Sequence, residues 1–124
     1  MLEENLSKST IAAFFEAYRQ LGYGFPEAIC ANALATEFAF RRISFKREVP
    51  IEVVYRGVLV GSFRVDFIVG ERMLVETKAS KELTSADQRQ LLNYLKASSF
   101  KVGLLLHFGP EKGSCKRYVH SRKQ

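Results

Sequence analysis

Arg64-Val65-Asp66-Phe67-Ile68-Val69-Gly70-Glu71-Arg72-Met73-Leu74-Val75-Glu76-Thr77-Lys78 reads as two short strands joined by a turn. Side chains alternate across a strand, so Phe63, Val65, Phe67 and Val69 share one face of the first. Met73, Val75, Thr77 and Ala79 share one face of the second. Both odd-numbered sets are expected to be buried, with Gly70-Glu71-Arg72 as the turn. Matching odd with odd across that connection sets Asp66 directly opposite Glu76, with Lys78 two residues along on the same side.

Two carboxylates in that position repel, because the Cβ atoms of opposed residues stand about 4.5–5.5 Å apart. A divalent cation removes the conflict, since Mg²⁺ is commonly held by one or two carboxylates with water and phosphate completing its shell. A solvated polar face, in which Lys78 bridges Asp66 and Glu76, accounts for the same residues. Spacing alone leaves both readings open.

The chain has 124 residues, enough for one domain (1–124) with a real core. Hydrophobic residues make up 47% and charged residues 26%, the usual mix of a soluble globular protein. No apolar stretch approaches a membrane span, and Met1-Leu2-Glu3-Glu4-Asn5 lacks the layout of a signal peptide, so a cytoplasmic location is expected. Cys30 and Cys115 have neither zinc nor disulfide spacing and are expected to be reduced. A net charge of +6 favours a polyanionic partner. The excess is concentrated in Arg41, Arg42, Lys46 and Arg47, and again in Lys112, Lys116, Arg117, Arg122 and Lys123. Either cluster could meet phosphates, although the last few residues suit a solvated tail equally well.

Outward from the central strands, the pattern predicts an α/β fold with a mixed central sheet flanked by helices: two N-terminal helices, a β-meander, a helix, then strands. Ile11, Phe14, Phe15, Tyr18 and Leu21 keep helical spacing, and Gly22 and Gly24 end that helix. Pro26 suits the start of a second helix, with Ala28, Ile29, Ala31, Leu34, Ala35 and Phe38 on its apolar side. Val49, Ile51, Val53 and Tyr55 alternate as a strand, and Arg56-Gly57 turns into Val58-Leu59-Val60. Thr84-Ser85-Ala86-Asp87 resembles a helix cap, followed by Leu91, Leu92 and Leu95 at helical intervals. Val102-Gly103-Leu104-Leu105-Leu106 reads as a strand buried on both sides, with a last strand near Lys116–Val119. On the third helix Gln90 and Tyr94 lie four residues apart and share a face. They either border the core or orient a water or phosphate.

Asp66, then Glu76-Thr77-Lys78, then Gln90-Leu91-Leu92-Asn93-Tyr94 together resemble the PD-(D/E)XK nuclease superfamily, the last as its Q-x-x-x-Y element. More narrowly, residues 8 to 120 look like the small GxxExxY proteins of that superfamily, with Tyr18 to Glu27 as their helix-turn-helix opening. Gly24 and Glu27 keep the naming motif, while Cys30 stands where it calls for Tyr and is expected to pack as a small apolar group. Val65 replaces the proline of the superfamily motif, which supplies backbone shape rather than a metal ligand.

The resemblance implies a restriction-endonuclease-like core and metal-dependent hydrolysis of nucleic-acid phosphodiesters, with DNA the expected partner. Asp66, Glu76 and the Thr77 carbonyl would hold Mg²⁺ or Mn²⁺, with Glu27 an additional candidate ligand. Glu27 serves equally well as an acidic residue in a first helical turn. Lys78 would position water or stabilise charge at the phosphate, and Gln90 and Tyr94 would orient water or substrate. His107, ending a buried strand, is expected only to satisfy a hydrogen bond. Small nucleases of this kind often form homodimers. A catalytically inactive or partner-dependent nucleic-acid-binding module is the alternative.

Overall fold

The computed structural model describes residues 3–121. Its elements run α1 (Glu4–Leu21), α2 (Glu27–Phe40), β1 (Phe45–Tyr55), β2 (Val58–Val69), β3 (Met73–Lys78), α3 (Ser85–Ala97), β4 (Val102–Phe108) and β5 (Gly113–Val119). The five strands form one sheet in the order β1-β2-β3-β4-β5. Neighbours are antiparallel except β3 and β4, which run parallel and are joined through α3. A parallel pair needs a crossover connection, and α3 supplies it. The expected α/β layout with a mixed sheet is therefore present. Arg122 and Lys123 of the basic tail lie outside the described residues.

One face of the sheet packs on α1 and α2. Phe67, Val69, Met73, Val75, Leu104, Leu106 and Phe108 meet Ala13, Phe14, Ala17, Cys30, Leu34 and Phe38 there. The other face packs on α3, where Ile68, Leu74 and Leu105 meet Leu91 and Leu95, all of them nearly or fully buried. Truncating one such leucine to alanine costs about 2–5 kcal/mol. Gly103 lets α3 approach, since a Cβ at that position would stand 3.0 Å from a Leu91 methyl. Thr84 caps α3 as expected: its hydroxyl accepts from the Asp87 amide, and the Asp87 carboxylate accepts from the Thr84 amide. Every residue of β4 is buried, in line with its unbroken apolar run.

Three sequence expectations need correction. Phe15 and Ile29, read as core, are 44% and 43% exposed; Ala13, Ala17 and Cys30 take those buried positions. Close helix–sheet packing favours small residues, and apolar spacing does not record size. Val58–Val60 is no separate strand but the start of the twelve-residue β2.

The third correction bears on the site. Phe63 and Val65 do not share a face with Phe67 and Val69, because they pack with the α3-side core. β1 makes the same switch: Phe45 belongs to the α1–α2 side, Val49 and Ile51 to the other. Both strands keep one register, with Arg47 paired to Phe67 and Val49 to Val65, so they change faces together. The switch falls at Glu48, whose φ of 50° is left-handed, a conformation uncommon for a residue with a Cβ. Asp66 lies directly across from it.

Candidate active site at the strand fork

β2 and β3 are paired for three residues only: Val69 with Met73, Ile68 with Leu74, Phe67 with Val75. Beyond that point they separate. β2 stays with β1, while β3 continues beside β4 through Glu76, Thr77 and Lys78. Polar side chains fill the fork where ladder bonds would otherwise be. The Asp66 amide donates to Glu76 Oε2 at 3.4 Å. Asp66 Oδ2 accepts from the Thr77 amide at 2.8 Å and from the Thr77 hydroxyl at 2.9 Å. Asp66 and Glu76 thus meet, as the register set by the short turn predicts, although the ladder itself ends one residue earlier.

Glu76 is only 5% exposed. Burial, a hydrogen bond to the Asp66 carboxyl and the charge of that carboxyl together push its pKa up to about 9, with Lys78 pulling the other way. A carboxyl that keeps its proton at neutral pH marks a place where negative charge lacks compensation.

Lys78 does not bridge the two carboxylates. Its Nζ donates to Gln90 Oε1 at 3.1 Å and lies 3.9 Å from Asp87 Oδ1, so α3 holds it from above. Asp87 was legible in sequence only as a cap residue. Its Oδ1 faces the lysine while its Oδ2 closes the capping box.

Tyr94, one helical turn past Gln90, stacks on Phe63 with ring centroids 3.8 Å apart and 7° between planes. Burial, with the charges of Glu76 and Asp66, raises its pKa, so the hydroxyl remains a donor. Gln90 therefore meets Lys78, while Tyr94 senses both carboxylates.

On the other side the fork opens into a cleft of about 300 Å³ lined by Glu27, Ala28, Ala31, Asn32, Arg47, Glu48, Asp66 and Thr77. Glu27 begins α2 on its wall and is exposed, but its carboxyl end loses enough hydration to raise its pKa. Lys78 opposes that shift and Asp66 adds to it, so all three groups sense one another. Arg47 crosses the cleft mouth, donating to Asn32 Oδ1 at 2.8 Å with its guanidinium 5.3 Å from the Phe67 ring centre. In the sequence Arg47 stands only in a basic cluster; its nearness to Asp66 depends on the β1–β2 pairing.

Among the described residues, no three His, Cys, Asp or Glu side chains gather tightly enough to hold an ion by themselves. The donor set is the Asp66–Glu76 pair, with Glu27 at the rim. Asp66 and Glu27 line the cleft, and Glu76 is buried beside Asp66; acidic oxygen donors of this kind suit a divalent cation that leaves several positions to water. The fit is strongest at Glu76, whose buried carboxyl needs positive charge beside it.

The other expected groups behave simply. His107 Nε2 is bonded to the Ser80 carbonyl at 2.7 Å. Cys30 is a buried free thiol, and Cys115 is free with its pKa pushed up to about 11 by burial. No helix among the described residues is long and apolar enough to cross a membrane.

A comparison with curated proteins finds no match. Among solved structures the chain is similar to that of SSO0001, with a TM-score of 0.59 and 20% identity, over 77% of this chain and 50% of that one. The chain thus spans half the length of that relative, and the likeness concerns the fold, which is the expected restriction-endonuclease-like core. The family model that matches residues 4–118 is described as the PD-(D/E)XK nuclease superfamily. With nearly its whole length matched by that model, and its carboxylate pair, lysine and Q-x-x-x-Y helix converging on one fork, the chain belongs to the PD-(D/E)XK nuclease superfamily.

Proposed function

We propose that this protein is a divalent-metal-dependent nuclease of the GxxExxY kind that hydrolyses phosphodiester bonds of DNA in the cytoplasm, using Mg²⁺ or Mn²⁺. The observation that carries the reading is the Asp66–Glu76 pair in the strand fork, with a buried acid facing its neighbour and Lys78 beside it. Asp66, Glu76 and the Thr77 carbonyl are the ligands, with Glu27 close enough to the rim to act through water. A bound cation polarises a phosphate oxygen and makes hydroxide available near neutral pH.

The protein groups supply position and charge. Lys78, fixed by Gln90 and Asp87, presents a cation to the oxygens that gain charge as the phosphate is attacked. Tyr94 donates from its hydroxyl and is kept in place by its stack on Phe63. Arg47 lies where the substrate backbone would pass and gives a guanidinium suited to phosphate.

The test is cleavage of labelled single- and double-stranded DNA and RNA in Mg²⁺, Mn²⁺ or EDTA, with Glu76→Ala run beside the wild type. Metal-dependent cutting of DNA that the variant lacks is the expected result. A wild-type protein that binds DNA but cuts nothing would refute the nuclease reading and leave a binding module.

A further inference from the structure

Residues 22–26 connect α1 to α2 and deliver the chain to Glu27 on the wall of the cleft. Two side chains of this loop have no part in the fold. Tyr23 and Phe25 are each 44% exposed, and Ile29, in the first turn of α2, is 43% exposed. Neither core cluster contains any of the three. Among the described residues the Tyr23 hydroxyl has no hydrogen bond, and neither ring meets another ring or a cation. A single exposed apolar side chain is ordinary, but two rings beside a cleft are an open π surface.

The backbone holds these rings in place. Gly22 and Gly24 flank Tyr23 at φ of 70° and 112°, and a Cβ at either would meet nothing within 4 Å. Glycine therefore serves backbone conformation there, not lack of space. Pro26, at φ −54°, then fixes the entry into α2. Two residues of chain span at most about 7 Å, which keeps the Phe25 backbone within that reach of Glu27.

The size and charge of the cleft narrow what the rings meet. Its volume of about 300 Å³ is at the lower end for a small-molecule pocket, a space for one unpaired nucleotide and not for a duplex. Arg47 at the mouth offers a guanidinium to a phosphate. From Ala17 to Pro26 no acid is present to repel the neighbouring phosphates. A duplex hides its base faces in its own stack, whereas an unpaired strand offers each of them to an aromatic ring.

We propose that Tyr23 and Phe25 form a base-stacking rim that selects unpaired DNA: bases flanking the scissile phosphate stack on the two rings while Arg47 holds the backbone. The inference rests on the nuclease reading of the fork and names the form of DNA it takes. Tyr23 and Phe25 are thus specificity residues, outside the group that holds the cation.

The test is a fluorescence titration in EDTA at low salt, using a DNA of about 12 nucleotides that carries 2-aminopurine, single-stranded or annealed. Wild type is compared with Tyr23→Leu, Phe25→Leu and Phe25→Trp, since leucine keeps apolar bulk and removes the π face. Wild type is expected to bind the single strand at least roughly tenfold tighter than the duplex and to quench its 2-aminopurine. Each leucine variant should weaken single-strand binding about fivefold or more and lose quenching, with duplex affinity and thermal unfolding unchanged. Phe25→Trp should keep both binding and quenching. Equal affinity for the two forms overturns the proposal, as does binding of neither, or leucine variants that bind and quench like wild type. The two readings fail separately. A protein that quenches as described but cuts nothing in Mg²⁺ upholds the rim and removes the nuclease; one that cuts single strand and duplex alike removes the rim alone.

Discussion

On the proposed mechanism, the proton on Glu76 makes cation binding pH-dependent. Burial first, then the hydrogen bond and charge of Asp66, push the Glu76 pKa up to about 9. A cation needs the carboxylate, so binding at pH 7 displaces one proton. Two units below its pKa the group is about 1% ionised, so apparent affinity should climb roughly tenfold per pH unit from pH 6 to 8 and level off above 9. Isothermal titration of Mn²⁺ in buffers of different ionisation enthalpy reads the proton count directly, with about one proton released at pH 7 expected.

The same proton has a consequence for the metal-free protein. The folded pKa lies above the unfolded value of 4.5, so between 4.5 and 9 the native state holds a proton that the unfolded chain has lost. Unfolding free energy then falls as pH rises, by up to about 1.4 kcal/mol per unit from this one group. The contribution is fully present below pH 4.5 and gone above 9. Glu76→Gln, which cannot titrate, should lack that slope and gain on the wild type steadily from pH 5 to 8.5. No proton release at pH 7, together with parallel pH–stability curves for wild type and variant, would refute the argument.

Asp87→Ala removes both the capping-box acceptor and the group opposite Lys78, and should cost about 1 kcal/mol in urea unfolding. Asp87→Asn, which keeps an acceptor for the Thr84 amide, should recover most of that stability but not the ionic contact with Lys78. Lys78→Ala should abolish cleavage while leaving thermal unfolding close to wild type; retained cleavage would remove Lys78 from the mechanism. Arg47→Ala should raise KM for DNA several-fold with little effect on kcat, and flatten the salt dependence of binding. Leu74→Ala, at a fully buried position of β3 packed against α3, should lose about 2–5 kcal/mol of stability by denaturant titration.

The elements legible in sequence are those whose signal is local. The Thr84–Asp87 cap, the apolar run of β4 and the alternation of Met73 and Val75 all depend on residues a few positions apart. So does the meeting of Asp66 and Glu76, because a short turn fixes the register. The face switch at Glu48 and Asp66 was hidden because period-two reading assumes an unbroken strand, and no glycine announces the left-handed residue. Phe15 and Ala13 exchanged roles because hydrophobicity was read without volume. Asp87 beside Lys78, and Arg47 beside Asp66, join elements distant in sequence, and no pattern along one strand or helix encodes them.

The strand fork divides the sheet mechanically. One plate is the β1–β2 hairpin, stiffened by ten registered pairs and carrying Asp66. The other is β3-β4-β5, carrying Glu76, Thr77 and Lys78. Three residue pairs hinge the two plates, and the Phe63–Tyr94 stack braces them. The hairpin is then a lever with an acid near its fulcrum and Tyr55 at its free end. Whatever grips that end applies torque to the gap between the two carboxylates, without touching either of them.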